Sequence, residues 1–373
     1  MRLVSPAETP TVGRTVDWGF AASVGTKLVR PAPPVTDYTR QQAIEQLAES
    51  SRRAELPVRE VTGLSEGAAV AEARIIDRGE WVRAATESMR LMTGGEGKSS
   101  GLITGRVTGA QTGAVLAFIS SGILGQYDPF AVGAGGPPAC GGERSDSGDR
   151  FSGGELLLVY PNVIAVERQL RVSPADFRLW VCLHEVTHRV QFKANPWLAD
   201  HMSRCLAVLT DDGDQDPAQV VERLFTLVRS RRNGTENDAP EPNSEGVLGI
   251  LRAIQSEPQR KALDQLLVLG TLLEGHADHV MDAVGPAVVP SVATIRRRFN
   301  ERRERKQPPL QRVLRALLGV DAKLSQYTRG KAFVDHVVSG VGMARFNTVW
   351  SSPETLPLPS EIDEPQRWID RVL

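Results

Sequence analysis

The residues best suited to chemistry in this sequence are two histidines and a glutamate in the segment His184-Glu185-Val186-Thr187-His188. On a helix, histidines four positions apart lie about 40° apart and one turn along the axis, so both imidazoles can bind one zinc ion. Glu185 lies on the other flank of His188, close to the metal without having to bind it. That position suits a base that takes a proton from water. The spacing therefore predicts a zinc site with a hydrolytic base.

A catalytic zinc site also needs a third protein ligand and one open position. Ala194 occupies the position ten residues after His184, where some zinc peptidases carry a third histidine. The third ligand must therefore come from elsewhere. Glu274 and Asp278 lie four residues apart in a later segment, on one face of a helix. We predict that Glu274 binds the metal and that Asp278 hydrogen-bonds a ligand imidazole, which would fix its tautomer.

The residues around Glu274 suggest how its helix packs. Gly275 and Ala277 have small side chains, and we expect them to let this helix and the His184 helix approach closely. His276 is turned about 200° from Glu274 on a helix. His276 and His279 are the alternative ligands if Glu274 does not bind the metal.

Helix signals surround both ligand segments. Ser173, Pro174 and Asp176 form a cap, a first-turn proline and a capping-box acid, and Asn195-Pro196 ends the helix that follows. A second long helix is predicted over residues 258–283. The apolar run in residues 155–160 predicts a buried strand just before the first helix.

The fold class predicted for the whole chain is mainly α. Residues 1–130 read as helices packed on the core, including one from Tyr38 to about Ala54 that Pro57 ends. Residues 131–154 contain 8 glycines and read as a loop. Residues 155–373 read as the catalytic part and further helices, one of them from Ala322 to Ser339. Since residues 184–188 and 274–278 must meet at one metal, we expect one compact unit.

These motifs resemble those of the gluzincin branch of the zincin metallopeptidases, in which H-E-x-x-H is followed by a helix bearing E-x-x-x-D. The chain also looks like one actinobacterial family of zincin-like hydrolases, linked in some genomes to deazaflavin-coenzyme biosynthesis genes. The stretches that carry this likeness are VDW at 16, GQYDPF at 125, LLLVYPNVIAVER at 156, FRLWVCLHEVTHRVQF at 177, PWLADH at 196, LLEGHADHVMD at 272, QYTRGKAF at 326 and FNTVWSSPETLP at 346. The resemblance implies a zincin-like fold and one zinc ion. It does not imply a substrate.

Peptidases of this kind need a hydrogen-bond donor for the oxyanion that forms during attack. Tyr327 is our prediction for that donor, because Gly330 on the same predicted helix permits close packing. His279 and His336 are the competing candidates.

Composition limits the partners and the compartment. Lys plus Arg number 44 and Asp plus Glu 45, so no overall charge attracts nucleic acid or a membrane. The 3 cysteines form no C-x-x-C pair, which predicts a reducing, cytoplasmic location. No apolar run reaches the length of a membrane-spanning helix. A peptide or protein substrate is the expected partner, nucleic acid and membranes are not expected, and the oligomeric state is left open.

Two functions follow from these residues. The first is a zinc-dependent hydrolase, most directly a metallopeptidase, in which Glu185 is the general base. The second is a catalytically silent binding or assembly protein that docks through the arginine-rich segment 296–315. Glu185 favours the enzyme, because a purely structural zinc site does not require that carboxylate.

Overall fold

A computed structural model describes residues 16–65, 67–93, 102–131, 153–209, 256–304 and 320–373. The described residues are mostly helical. The helices are α1 (Trp18–Leu28), α2 (Asp37–Thr62), α3 (Arg78–Met92), α4 (Leu102–Ile119), α5 (Tyr160–Leu170), α6 (Pro174–Ala194), α7 (Trp197–Leu209), α8 (Glu257–Val288), α9 (Val292–Glu304), α10 (Val320–Val341), α11 (Met343–Phe346) and α12 (Pro365–Val372). Two short 3-10 helices, Asn347–Trp350 and Pro353–Thr355, follow α11.

A three-stranded sheet lies beside the helices, in the order β1-β3-β2. β1 (Ala73–Ile76) runs parallel to β3 (Glu155–Val159), and β2 (Gly125–Asp128) runs antiparallel to β3. The strand predicted over 155–160 is confirmed as β3, whereas β1 and β2 were not predicted. Both missed strands have only four residues, too few to show a clear alternation. The sheet joins strands from both sides of the predicted loop.

Helix α6 begins and ends where the sequence predicts. Ser173 Oγ accepts a hydrogen bond from the backbone N–H of Asp176, and Pro174 is the first helical residue. The helix ends at Asn195, whose side chain donates to the carbonyl of Gln191. Most of the helix is buried, including Phe177 at 0% exposure. The ligand segment is therefore held in the core, and side chains of α2 belong to the same apolar cluster.

Helix α8 packs most closely against α10. A β carbon built on Gly275 would lie 2.2 Å from the carbonyl carbon of Gly330, so only glycine permits this approach. The expectation that Gly275 brings α8 close to α6 is therefore wrong, because Gly275 faces α10. Near its C-terminal end α8 bends at Gly285, which has a φ of 68° and precedes Pro286.

Two other expectations are settled by the helix bounds. Pro57 does not end α2, which continues to Thr62 and terminates at Gly63, a residue in the left-handed region with a φ of 63°. The long helices predicted around residues 174–194, 258–283 and 322–339 are confirmed as α6, α8 and α10.

Most of the predicted glycine-rich loop, residues 132–152, lies outside the described residues. No described helix combines the length and apolar character that crossing a bilayer requires.

Candidate metal centre

Three predicted ligand side chains converge where α6 and α8 meet. His184 Nε2 lies 3.2 Å from His188 Nε2, as one turn of helix requires. Glu274 Oε2, from α8, lies 3.3 Å from His184 Nε2 and 3.8 Å from His188 Nε2. One ligand atom of each of the three residues lies within 4.8 Å of the others. Among the described residues this is the one such cluster of histidine, cysteine and acidic side chains.

The donor set fits a zinc ion. Two imidazole nitrogens and one carboxylate oxygen are the ligand types that catalytic zinc sites use. Glu274 Oε2 is buried and accepts no hydrogen bond from the described residues, although both imidazoles are near. A buried carboxylate oxygen without a donor is costly unless a cation compensates it. The three residues therefore have the chemistry and the convergence of a zinc site.

The Glu274 carboxylate and the His188 imidazole shift each other's pKa. Burial alone would lower the pKa of His188, but the neighbouring Glu274 and Glu185 carboxylates outweigh it and raise that pKa to about 9. Burial would raise the pKa of Glu274, yet His184 and His188 hold it well below its usual range. Glu274 is therefore ionised at neutral pH, as a metal ligand must be.

Glu185 is placed beside the ligands and against the edge strand. Its side chain is 7% exposed, and burial raises its pKa despite the opposing effect of the two histidines. A β carbon on Gly125 of β2 would lie 2.7 Å from Glu185 Cγ, so the strand backbone directly contacts this side chain. A base with a raised pKa is better matched to proton transfer near neutral pH. A side chain larger than that of glycine at position 125 would overlap with Glu185.

The site opens into a cleft of about 590 Å³. His184, Glu185, His188 and Glu274 form part of its wall, and residues of β2 form another part. Apolar side chains of several helices complete the lining, among them Trp81, Met89, Met92, Trp180, Met281 and Phe299. The cleft combines a few convergent polar groups with apolar walls, which is typical of a substrate site.

The imidazole of His188 contacts the side chain of Gln191. Gln191 Oε1 lies 2.9 Å from His188 Nδ1. Asp278, predicted to make such a contact, lines the cleft, but its described side-chain contact is an ion pair with Arg296 at 3.5 Å. Its bond to a ligand imidazole stays a prediction. Gln191 follows His188 by three positions, and that helical spacing is the signal from which it could have been identified.

The two competing candidates for the oxyanion donor, His279 and His336, are not among the described residues that line the cleft. Tyr327 lies on α10, but its side chain falls outside the part of the chain whose side chains are described. His336 is exposed on the same helix. His279 Nδ1 bonds Asp335 Oδ1 at 2.6 Å. The role of Tyr327 therefore stays a prediction.

The described arginines of segment 296–315 bond within the chain. Arg296 pairs with Asp282 at 2.7 Å, in addition to its contact with Asp278. Arg298 donates to the carbonyl oxygens of Leu170 and Arg171 at the end of α5. Residues 305–315 lie outside the described residues. In the described part, these bonds hold α9 on α5 and α8.

Comparison with known proteins agrees with this geometry. The model of the zincin-like metallopeptidase family matches residues 16–369, nearly the whole chain.

The chain belongs to the zincin-like metallopeptidase family.

A crystal structure from Chloroflexus aurantiacus, described as that of "a putative hydrolase with a novel fold", is similar to this zincin-like chain. The two are 29% identical in sequence with a TM-score of 0.63, and the match covers 95% of this chain and 98% of the other. No curated protein matches the sequence significantly. The predicted fold class is confirmed: the chain is mainly helical and zincin-like. Its small sheet lies beside the H-E-x-x-H helix.

Proposed function

We propose that this chain is a zinc-dependent hydrolase, most directly a metallopeptidase. The observation that carries the proposal is the convergence of His184, His188 and Glu274 with the Glu185 carboxylate beside them. Membership of the zincin-like metallopeptidase family supports a metal-dependent hydrolytic reaction. The similar hydrolase structure supports the same reaction class.

His184 Nε2, His188 Nε2 and Glu274 Oε2 would hold the zinc ion. When bound, zinc polarises a carbonyl oxygen and makes a nearby water a stronger acid. Glu185 accepts the proton of that water on a carboxylate oxygen as the water oxygen bonds the amide carbon. The same carboxylic acid then gives the proton to the amide nitrogen as the carbon–nitrogen bond breaks. Burial of Glu185 excludes bulk water that would compete for this proton.

The edge strand β2 is our proposal for the place where a peptide lies. β2 pairs with β3 on one side only within the described sheet, so its other edge can bond an extended chain. Its residue Gly125 contacts Glu185, which would bring the peptide backbone to the base. Next along the strand, Gln126 accepts a hydrogen bond from Trp81 Nε1 at 2.9 Å. That bond fixes the amide so that its nitrogen can donate to a peptide carbonyl.

A reducing, cytoplasmic location remains part of the proposal. Cys182 and Cys205 are buried and unpaired in the described residues. Free thiols are ordinary in reducing compartments.

The experiment that tests the proposed function is metal analysis followed by a cleavage screen. The wild-type protein is expected to bind one zinc ion per chain, and the His188→Ala variant is expected to lose it. A peptide library is then incubated with both proteins and analysed by mass spectrometry. Cleavage by the wild type that is absent from the variant supports the proposal. Wild-type protein that binds no zinc, or zinc-loaded protein that cleaves no peptide, contradicts it.

A further inference from the structure

Gln191 makes an unusual set of contacts for a buried side chain. It is 0% exposed and bonds three groups. Its Oε1 contacts His188 Nδ1 at 2.9 Å, whereas its Nε2 contacts the Leu273 carbonyl oxygen at 3.0 Å and His276 Nδ1 at 2.9 Å. One amide thus joins a metal ligand on α6 to two residues of α8, the helix that carries Glu274.

The chemistry of these partners fixes the orientation of the amide. The Leu273 carbonyl oxygen can only accept a hydrogen bond, so the Gln191 atom that faces it must be the nitrogen. The other amide atom, the oxygen, then faces His188 and can only accept. His188 Nδ1 must therefore carry a proton. Its Nε2, which faces His184 and Glu274, is left as the nitrogen that can bind a metal.

The same reasoning fixes the state of His276. Its Nδ1 receives the second N–H of the Gln191 amide, so this nitrogen must be unprotonated and the ring must be neutral. His276 is 0% exposed, and its ring packs beside the rings of Phe346 and Trp350.

His276 has a second ring nitrogen that the surroundings do not satisfy. Its Nε2 is buried and has no hydrogen-bond partner in the part of the chain that the structure describes. A phenylalanine would avoid that cost in a pocket walled by aromatic rings. The other ring nitrogen, Nδ1, accepts the hydrogen bond from the Gln191 amide. The difference between the two nitrogens indicates that the role of His276 is to orient the Gln191 amide.

We propose that Gln191 and His276 are positioning residues that hold His188 as the Nδ1-protonated tautomer and keep the two ligand-bearing helices in register at the metal. The proposal rests on the proposed zinc-dependent function. His276 orients the Gln191 amide, and Gln191 orients the His188 imidazole. The bond to Leu273 O, one residue before Glu274, connects the third ligand to the same amide.

The test is zinc affinity, measured by competition with a chromophoric chelator in the full-length protein. Gln191→Met keeps the length of the side chain and removes all three hydrogen bonds. We expect it to weaken zinc binding about 10- to 100-fold, the range for losing a partner of a ligand histidine. Gln265→Met is the matched control, since Gln265 lies on α8 and bonds Cys205 away from the ligands. We expect this control to bind zinc like the wild type.

A second pair of variants separates positioning from packing. His276→Phe fills the pocket but cannot accept from Gln191, and we expect it to weaken zinc binding several-fold. His276→Asn loses ring volume, but its side-chain oxygen can occupy nearly the position of Nδ1, so we expect affinity nearer that of the wild type. The opposite order of these two variants contradicts the proposal. Thermal unfolding of both variants shows how much each substitution affects folding.

A spectroscopic measurement does not depend on activity. In zinc-loaded protein labelled with ¹⁵N, the His188 Nδ1 proton is expected to give a protected signal that Gln191→Met loses and Gln265→Met keeps. If the wild type binds zinc and Gln191→Met binds it equally well with that signal unchanged, the positioning role is wrong and the proposed function stands. If the wild type binds no zinc, both fail.

Discussion

Gly125 of β2 lies directly against the side chain of Glu185: a β carbon at position 125 would be 2.7 Å from Glu185 Cγ and 2.8 Å from Cδ. The side chain of the proposed base is therefore confined on this side by the backbone of a strand. Backbone atoms of a paired strand move little, so the strand limits where the carboxylate can be. This relationship connects the edge of the sheet to the chemistry proposed at the metal.

The first prediction concerns that contact. Gly125→Ala should displace the Glu185 carboxylate, and a displacement of about 1 Å can lower a reaction rate about 100-fold. Zinc affinity should remain within a few-fold of the wild type, because Glu185 is not a proposed ligand. Peptide hydrolysis and chelator competition measure the two effects. Gly122→Ala is the control, since its β carbon would make only an ordinary contact of 3.7 Å with Ile119 O. Equal rates for both variants would show that the contact is unimportant.

The second prediction compares the two carboxylates of α8. Glu274→Gln removes the charge of a proposed ligand and should abolish stoichiometric zinc binding. Asp278→Asn should leave zinc binding within a few-fold of the wild type, because Asp278 contacts Arg296. Metal content after gel filtration distinguishes them. A loss of zinc in Asp278→Asn comparable to that in Glu274→Gln would instead support the role in fixing a ligand imidazole that the sequence predicts for Asp278.

The third prediction is the pH dependence of zinc binding. In the metal-free protein, Glu274 and Glu185 raise the pKa of His188 to about 9, so below that pH zinc must displace a proton. Glu274 has a lowered pKa and stays ionised. Apparent affinity should therefore fall about tenfold per pH unit as the pH decreases from 9 to 7. Chelator competition at several pH values measures this slope. A flat profile over that range would mean that His188 has an ordinary pKa.

The fourth prediction concerns the contact between α8 and α10. Gly275→Ala would place a β carbon 2.2 Å from the backbone of Gly330, and such overpacking costs about 1–3 kcal/mol or more of unfolding free energy. Gly270→Ala on the same helix meets no atom of the described residues within 4 Å and should be neutral or stabilise by up to about 1 kcal/mol. Urea unfolding of both variants gives the comparison. If Gly275→Ala is as stable as Gly270→Ala, the close helix approach is not present in solution.

The sequence predicts those parts of the site that depend on one helix. His184, Glu185 and His188 are related by helical periodicity alone, and Glu274 has the residue type and motif of a third ligand although 86 positions separate it from His188. The fold class and the helices α6, α8 and α10 follow from caps and apolar patterns of the same local kind.

The sequence does not reveal the contacts of the site that depend on how separate helices and strands pack against one another. The bond between Gln191 and His276 requires the rotation of α8 about its axis, which no local pattern specifies. The partner of Gly275 is α10 and not α6 for the same reason. Gly125 belongs to a four-residue strand whose place at the sheet edge is a property of the whole fold.

The most direct test of the central claim is the rate of peptide hydrolysis by zinc-loaded Glu185→Gln compared with the zinc-loaded wild type. The substitution keeps the shape of the side chain and removes its ability to accept a proton. We predict that the variant binds one zinc ion per chain with wild-type affinity and loses at least about 100-fold in hydrolysis rate, the smallest typical contribution of general base catalysis. A variant that cleaves as fast as the wild type would contradict the assignment of Glu185 as the base.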